Sequence, residues 1–221
     1  QERVRKSNAE TTLIPYLKSR GVDRLDKLVL THTDTDHMGD MLDLAKYFSI
    51  REIYVSKGSM TQSDFVGKLK KMKAKVHIVE VGDRLPIFDS ALEVLYPFGQ
   101  GDGGNDDSIV LYGEFFQTKF LFTGDLEAPG EGQIVTAYPD LRVDVLKAGH
   151  HGSKGSSSPE FLEHIQPKLA LISAGKNNRY QHPHKETLAR FEKNQTKIFR
   201  TDEQGAIRFK GWNSWQIETV R

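Results

Sequence analysis

The chain has 221 residues, which is enough for one domain of ordinary size with a sizeable core. Its 37% hydrophobic and 28% charged residues exclude a collagen, a coiled coil and a mostly disordered chain. The sequence has no cysteine, which excludes disulfides, thiolate metal sites and cysteine nucleophiles. The net charge is +1, so any attraction to nucleic acid must come from a local patch. No apolar run is long enough for a membrane span or a signal peptide, and the missing initiating Met predicts a fragment of a longer protein.

Hydrophobic periodicity predicts helices and strands in alternation along the whole chain. The first part is predicted to form, in order, a helix over 9–20 capped by Asn8, strands over 27–31, 52–55 and 76–79, and helices over 38–48 and, capped by Ser63, 64–73. The second part is predicted to form strands over 92–96, 108–115, 118–123, 143–147 and 169–172, helices over 159–165 and 185–193, and terminal strands over 206–209 and 215–220. No linker interrupts the pattern, which therefore predicts a single α/β domain over residues 1–221.

Six of the eight histidines fall in three short segments, and the first segment is the most informative. His32, Asp34, Asp36 and His37 follow a predicted strand within one polar loop. Imidazole and carboxylate groups are ligands for divalent cations, and crowding them without a cation leaves polar groups poorly paired. The loop favours a metal site over its alternative, a solvated acidic turn.

Three further polar loops follow predicted strands: Thr123-Gly124-Asp125, His150-His151-Gly152-Ser153 and His182-Pro183-His184. Each loop alone is compatible with an ordinary turn or a surface histidine pair. Together they favour one site, since loops at the strand ends of an α/β scaffold gather at one sheet edge. Neighbouring histidines in a turn point in different directions, so we expect at most one of the pair at 150–151 to bind a given ion. His77 and His164 are predicted to be ordinary strand and helix residues.

The segment from Leu28 to Gly39 resembles the His-x-His-x-Asp-His motif of the metallo-β-lactamase fold, with Asp34 in place of the second histidine. Segments 14–22, 146–154 and 178–184 resemble the C-terminal domain of ComEC-type competence proteins. The resemblance implies a four-layer αββα sandwich with a site at one edge of its two sheets. The family's Asp-Val-Gly-Gln-Gly-Asp motif is absent, which predicts that the chain lacks the first strand or strands of the fold.

The resemblance also implies roles for individual residues. His32 and Asp34 would hold one metal, with Asn105 or Asp107 nearby, where many relatives have a histidine instead. The second metal would be held by Asp36, His37 and His151, with His150 as the alternative to His151. Asp125 would bridge the two metals. His182 and His184 would lie at the rim as phosphate binders, proton donors or a further ligand. The predicted catalytic residues are Asp36, Asp125 and His184, and the predicted substrate-binding residues are His150, Ser153, Lys154, Arg179 and His182.

The implied function is hydrolysis of a phosphodiester, with DNA as the substrate during DNA uptake, by a water molecule activated by two metals. A ligand set without sulfur suits Mn²⁺ as well as Zn²⁺. The expected partners are DNA, as a single strand, and the transmembrane channel domain of the same cell-membrane protein, with this domain on the extracellular side. No small-molecule cofactor is expected. Tyr180 or Phe191 is predicted to stack on bases, whereas the lysine run at 68–75 is interpreted as a solvated helix face.

Two alternatives stay open at this stage. One is a different hydrolase of the same superfamily, such as a phosphocholine esterase or a lactonase, because the loops around such a site set its specificity. The other is a non-catalytic DNA-binding module with a degenerate site that binds no metal.

Overall fold

The structure is a computed structural model that describes residues 7–210 and 215–220. The chain divides into two compact units. Unit 1 comprises residues 1–79 and 99–107, and unit 2 comprises residues 80–98 and 108–221. Among the described residues, no helix has both the length and the apolar character that a bilayer crossing requires.

Unit 1 is built on a parallel sheet of three strands in the order β1-β2-β3. In chain order, its elements are a π-helical turn (Ala9–Leu13), α1 (Ile14–Ser19), β1 (Arg24–Leu30), α2 (Thr35–Met38), α3 (Met41–Tyr47), β2 (Ser49–Ser56), α4 (Ser63–Lys71) and β3 (Lys75–Val79). Two short 3₁₀ turns, Ser59–Thr61 and Asn105–Asp107, complete it. Ile53 and Val55 of β2 pack with Met41 of α3 and with Phe65 and Leu69 of α4 in its core.

Unit 2 is built on a sheet of seven strands in the order β10-β9-β8-β7-β6-β5-β4. Its strands are β4 (Arg84–Ile87), β5 (Ser90–Tyr96), β6 (Val110–Phe115), β7 (Thr118–Phe122), β8 (Val145–Lys147), β9 (Leu169–Ile172) and β10 (Lys197–Arg200), and β11 (Ala206–Lys210) pairs with β12 (Gln216–Val220) in a separate antiparallel sheet. Its helices are α5 (Ala128–Ala137), α6 (Pro159–Ile165), α7 (Lys185–Lys193) and α8 (Thr201–Gln204).

The strand directions in unit 2 explain where its polar loops lie. β7, β8 and β9 are neighbours and run parallel. The carboxyl ends of parallel neighbours lie at the same sheet edge, so the loops that begin at Thr123, Ala148 and Ser173 meet there. Buried apolar side chains on both faces of the sheet hold these strand ends in place: Leu121, Leu146 and Ala170 on one face, and Phe120, Val145 and Leu169 on the other.

The α/β class predicted from the sequence is confirmed, and α6, β9 and α7 have the predicted bounds. Both predicted N-caps are wrong: Asn8 has helical dihedral angles and no capping bond, and Ser63 lies inside α4 after an N-cap at Gln62. Five elements were not predicted: α2, which lies where a polar loop was expected, and β4, α5, β10 and α8. β4 contains Pro86, which is tolerated because β4 is an edge strand. α5 contains two glycines, and at Gly130 an added Cβ would lie 2.2 Å from Leu126, so close packing there overrides the weak helix propensity.

Candidate metal centre

In unit 1, the polar loop after β1 is held against the loop at 99–107. The main-chain N–H and the hydroxyl of Thr33 both donate to the carbonyl oxygen of Gly103, each at 2.8 Å. Asp34 then takes an extended conformation as the N-cap of α2. Because a strand end, a braced turn and a helix start follow within eight residues, the loop concentrates its imidazole and carboxylate groups in a small volume.

The two imidazoles of this loop lie close together, with ring centroids 4.1 Å apart. His32 is fully buried, and its Nε2 is 3.9 Å from an Asp34 carboxylate oxygen. Nε2 of His37 is likewise 3.9 Å from an Asp36 carboxylate oxygen. Each imidazole nitrogen thus lies within 4 Å of a carboxylate oxygen. Two imidazoles beside two carboxylates are a suitable ligand set for a divalent cation.

The segment at 105–107 contains one residue that anchors it, Asp107, and one candidate metal ligand, Asn105. Asp107 is 1% exposed, and the Ser56 hydroxyl donates to its carboxylate at 2.5 Å. Burial raises the pKa of Asp107, and the bonds from Ser56 and from the Gly101 and Gly103 backbones oppose that rise. Asp107 thus ties this segment to the end of β2. The side-chain oxygen of Asn105 is buried and has no hydrogen-bond donor within 7–210 and 215–220, and a cation would satisfy such an oxygen.

In unit 2, Asp125 follows β7 and is 1% exposed. The Ser108 hydroxyl accepts from the Asp125 main-chain N–H at 3.0 Å, which fixes the turn. Lys147, at the end of β8, donates to the Ala148 carbonyl at 2.7 Å. Burial lowers the pKa of Lys147, and the charge of Asp125 opposes that shift. Burying a carboxylate is costly unless positive charge lies near it, and a metal ion bound at this sheet edge would supply such charge.

The histidine pair after β8 lies on an unusual backbone. His150, His151 and Gly152 have φ values of 44°, 53° and 81°, so three successive residues are in the left-handed region. That conformation costs a residue with a side chain roughly 1–2 kcal/mol. The Ser156 hydroxyl braces the turn by donating to the Gly149 carbonyl at 2.8 Å. Such strain persists where the surroundings enforce it, and here it turns both rings toward one carboxylate.

Both histidine rings direct Nε2 toward Asp125. His151 donates from Nδ1 to the Ser173 carbonyl at 2.7 Å, so the neutral tautomer has its lone pair on Nε2, which lies 3.6 Å from an Asp125 carboxylate oxygen. Nδ1 of His150 bonds to a Glu127 carboxylate oxygen at 2.9 Å, and its Nε2 is 3.8 Å from the same Asp125 oxygen. A ring whose Nδ1 is held by a carbonyl or carboxylate oxygen, with Nε2 directed toward another potential ligand, is typical of histidines that bind a metal. Both members of the pair therefore lie near Asp125.

The third polar loop of unit 2 presents His182 and His184, whose ring centroids are 4.7 Å apart. The main-chain N–H of Lys154 donates to Nδ1 of His184 at 3.0 Å, so the neutral His184 ring carries its hydrogen on Nε2. Burial lowers the pKa of His182 to about 4, and the nearby His184, His150 and His151 act in the same direction. His182 is thus neutral at pH 7, and His184 offers a hydrogen-bond donor.

The remaining predicted residues of unit 2 differ in their exposure. Lys154 and Arg179 are exposed, as is Tyr180 at 55%. Ser153 is buried, and its hydroxyl accepts from the Gly155 main-chain N–H at 3.2 Å. Phe191 is fully buried in the core, so the prediction that it could stack on a base is wrong. It lies on the inner stripe of α7, where a helix packs against its sheet.

Sequence reasoning missed Glu127 and Asn178. Glu127 holds His150, as described above. Asn178 bridges the ends of its own loop, because its amide donates to the Gly175 and His182 carbonyls at 2.9 and 2.6 Å. In the sequence, Glu127 is marked by its position two residues after Asp125. Asn178 is marked by the Asn177-Asn178 pair, which is typical of a turn.

The donor set in each unit fits a divalent metal. It consists of imidazole nitrogens and carboxylate oxygens, and the chain has no thiolate to add. Such mixed nitrogen and oxygen ligands suit Mn²⁺, Fe²⁺ and Zn²⁺.

Comparison with known proteins agrees with this chemistry. The chain is 40% identical over 208 residues to ComE operon protein 3 of Bacillus subtilis and 34% identical over 203 residues to competence protein ComA of Neisseria gonorrhoeae. These matches cover 92% and 91% of the chain but 27% of the length of each relative. The metallo-beta-lactamase fold protein YhfI from Bacillus subtilis has a similar structure, with a TM-score of 0.57 at 13% identity over 89% of this chain and 81% of that one.

The predicted resemblance to ComEC-type competence proteins is confirmed by these relatives, and the predicted metallo-β-lactamase fold is confirmed by the structural match. Members of the superfamily are generally metal-dependent hydrolases. Residues 3–176 match the model of the metallo-beta-lactamase superfamily, and a match over most of the chain, joined to histidine and carboxylate loops at the strand ends, makes this chain a member of that superfamily.

Proposed function

We propose that the chain is a metal-dependent phosphodiester hydrolase that acts on DNA. The observation that carries the proposal is the relationship of His151 to Asp125. The Ser173 carbonyl holds Nδ1 of His151, and Nε2 of the same ring lies 3.6 Å from a buried Asp125 carboxylate oxygen. An imidazole nitrogen and a carboxylate oxygen at this separation can bind the same cation, and a carbonyl that holds the other ring nitrogen orients the imidazole for it.

The proposed ligands follow the superfamily's motif. One metal is assigned to His32 and Asp34, with Asn105 as a further oxygen donor. The second is assigned to Asp36, His37 and His151, and Asp125 is assigned to both. Two divalent ions held by these residues would activate a water molecule for in-line attack on phosphorus and stabilise the charge that develops there.

Side chains around the metals are assigned three further roles: charge balance, hydrogen-bond donation and substrate binding. Asp36 and Asp125 supply negative charge that allows two cations to lie close together. His184 donates from Nε2, because its Nδ1 accepts from Lys154, and this donor suits a phosphate oxygen or the leaving group. His150 and His182 line the same sheet edge, and the exposed Lys154 and Arg179 attract the phosphate of the substrate.

Two observations support DNA as the substrate. The similarity to competence protein ComA extends over 91% of the chain, although that relative is much longer. The loop at 173–184 contains Lys176 and Arg179 and no acidic residue. A polyanion therefore finds a favourable local charge at the mouth of the candidate site, despite a net charge of only +1.

The proposal is tested with the purified chain, dialysed against chelator and then supplied with Mn²⁺, Zn²⁺ or Mg²⁺. Labelled single-stranded DNA, double-stranded DNA and a small phosphodiester are offered in parallel. We expect DNA cleavage that depends on the added metal, with Mn²⁺ at least as effective as Zn²⁺. Hydrolysis of the small ester or of a lactone without DNA cleavage would indicate another hydrolase of the superfamily. DNA binding without cleavage under any metal would indicate a non-catalytic module.

Metal content gives an independent measurement. Elemental analysis of the purified chain is expected to find up to two divalent ions per molecule, held by the residues assigned above. Activity that persists in chelator after extensive dialysis would contradict the proposal.

We also propose that residues 1–221 work as one hydrolase domain of a cell-membrane protein, on the extracellular side, joined to a transmembrane channel domain. The proposal is supported by relatives of which the chain spans only 27%. The test is the full-length gene product: it should contain hydrophobic spans, and protease added to intact cells with a permeable wall should cleave this domain. Protection from protease in such cells would contradict the extracellular side.

A further inference from the structure

Tyr180 lies at the outer end of a row of aromatic rings. Its ring is 5.7 Å from that of His182, at an angle of 25°. The His182 ring is in turn 6.3 Å from that of His151, at 20°. Tyr180 itself is 55% exposed. The row therefore runs from an exposed ring to a histidine that faces the buried Asp125.

The loop that carries Tyr180 is held in shape from within. Asn178 donates to the carbonyls of Gly175 and His182, and its side-chain oxygen accepts from the His182 main-chain N–H at 3.0 Å. The His184 main-chain N–H donates to the Gly152 carbonyl at 3.0 Å, which ties the end of the loop to the histidine turn. An exposed ring on a braced loop is ordered before it binds anything, which lowers the entropy cost of binding.

A planar cation covers the Tyr180 ring. The guanidinium carbon of Arg179 lies 4.5 Å from the ring centroid, and the guanidinium also donates to the Tyr180 hydroxyl. A cation–π contact at an exposed site is weaker than the stacking of a nucleobase on an aromatic ring. A base can therefore replace the guanidinium on the ring, and the displaced guanidinium can then pair with a phosphate.

We propose that Tyr180 is a stacking platform for a nucleobase of a single nucleic acid strand whose phosphodiester lies at the histidine loops. This inference rests on the proposed function, and it identifies an unpaired base as the feature recognised beside the phosphate. In duplex DNA the bases are stacked on one another, so the platform selects single-stranded substrate.

An aromatic ring can also bind a quaternary ammonium headgroup, but the charge of this loop argues against that ligand. Aromatic rings do bind such cations, but Arg179 and Lys176 lie in the same loop and no acidic residue does. A cationic headgroup would be repelled there, whereas a nucleotide brings both a base for the ring and a negative charge for the arginine.

The test is binding of fluorescein-labelled oligothymidine, followed by fluorescence anisotropy in chelator so that no cleavage occurs. We expect Tyr180→Ala to weaken binding roughly 5- to 150-fold and Tyr180→Phe to bind like wild type. The wild type should bind an oligonucleotide with abasic positions more weakly than oligothymidine. Tyr180→Ala should bind the two oligonucleotides equally. The matched control is Tyr47→Ala, since Tyr47 is 44% exposed and has Lys18 Nζ 4.3 Å from its ring centroid.

The outcomes separate this inference from the proposed function. If the wild type binds and cleaves DNA while Tyr180→Ala binds as the wild type or as Tyr47→Ala does, the platform is wrong and the proposed function stands. If the wild type neither binds nor cleaves DNA, both fail. If Tyr180→Ala instead raises KM for a phosphocholine ester and leaves oligothymidine binding unchanged, the platform recognises a cation and the inference is overturned.

Discussion

The main-chain N–H of Lys154 donates to Nδ1 of His184 at 3.0 Å, and this one bond determines what His184 can do. A main-chain N–H only donates, so Nδ1 is the acceptor and the neutral ring carries its hydrogen on Nε2. His151 has the opposite tautomer, because its Nδ1 donates to the Ser173 carbonyl. Two histidines of one unit are thus prepared differently: His151 presents a lone pair that suits a metal, and His184 presents a donor that suits an oxygen of the substrate.

The first prediction follows from the tautomer of His184. His184→Ala should lower kcat for a small phosphodiester about 10²–10⁴-fold while the bound metal stays near wild type. His184→Gln, which can place an N–H near the original Nε2, should retain more activity than His184→Asn, which can accept from Lys154 but lacks the distal donor. Kinetics and elemental analysis are measured on the same preparations. Loss of metal in His184→Ala would instead make His184 a ligand.

The second prediction concerns Glu127, which bonds to Nδ1 of His150 at 2.9 Å. Glu127→Ala should lower kcat/KM about 10–100-fold, because the His150 ring then rotates away from Asp125. Glu127→Gln should have a smaller effect, since its amide oxygen can still accept from Nδ1. The measurement is kcat/KM for the small phosphodiester at matched metal content. Glu160→Ala, an exposed carboxylate of α6, serves as the control, and an equal loss there would contradict a specific role for Glu127.

The loops of the candidate site could be predicted because each follows an abrupt change from apolar to polar residues. The run Phe120-Leu121-Phe122 before Asp125 and the run at 169–172 before the third loop mark strand ends with little ambiguity. The strands are neighbours and parallel, so their loops gather at one edge. Pattern alone therefore suffices to identify which segments of unit 2 contribute to the site.

The orientation of the rings could not be predicted, because it depends on contacts distant in sequence and on rare backbone conformations. Ser173 lies 22 residues after His151, and nothing in the local sequence indicates that its carbonyl holds the ring. Left-handed φ at two successive histidines is uncommon and has no sequence signal. Phe191 is the opposite case, since its spacing from Leu188 already indicates the inner face of α7.

The third prediction concerns the buried carboxylate of Glu131, which accepts from the Ser157 and Ser158 main-chain N–H groups at 2.5 and 2.8 Å. Glu131→Ala leaves both donors at the start of α6 without this acceptor and should reduce the free energy of unfolding by about 1–3 kcal/mol for each. Urea denaturation checks this, with the exposed Glu163→Ala as control. An equal effect of the two substitutions would contradict it.

A pH dependence accompanies the same residue. Burial raises the pKa of Glu131 above its ordinary value of 4.5, so the folded state holds the proton more tightly than the unfolded state. The contribution of Glu131 to the free energy of unfolding is therefore greatest below pH 4.5. It decreases as the pH rises from there through the folded-state pKa. The difference in unfolding free energy between wild type and Glu131→Gln, measured across this range, should decrease with rising pH. A difference that increases with pH would contradict the raised pKa.

The fourth prediction concerns Gly101, which lies against Asp107. A Cβ at Gly101 would lie 2.3 Å from one Asp107 carboxylate oxygen and 2.5 Å from its Cγ, whereas a Cβ at Gly99 meets nothing within 4 Å. Gly101→Ala should therefore lower the free energy of unfolding by about 1–3 kcal/mol, and Gly99→Ala should change it by less than about 0.5 kcal/mol. Thermal or urea unfolding distinguishes the two. Equal stability of both variants would mean that Asp107 is not held where the structure has it.

The last prediction concerns Asp125, the only residue assigned to both metals. Asp125→Asn preserves the shape of a side chain that is 1% exposed, and it removes the charge that His150 and His151 face. Without that charge, two cations would be less well screened from each other, so bound metal and DNA cleavage should both fall sharply. Circular dichroism should stay like that of wild type, since the main-chain bond to Ser108 does not depend on the carboxylate. Ser153→Ala, whose hydroxyl bonds inside the turn, should retain the metal and provides the control. If Asp125→Asn keeps its full metal content and near-normal cleavage, the assignment of the metal centre is wrong, whatever the other variants do.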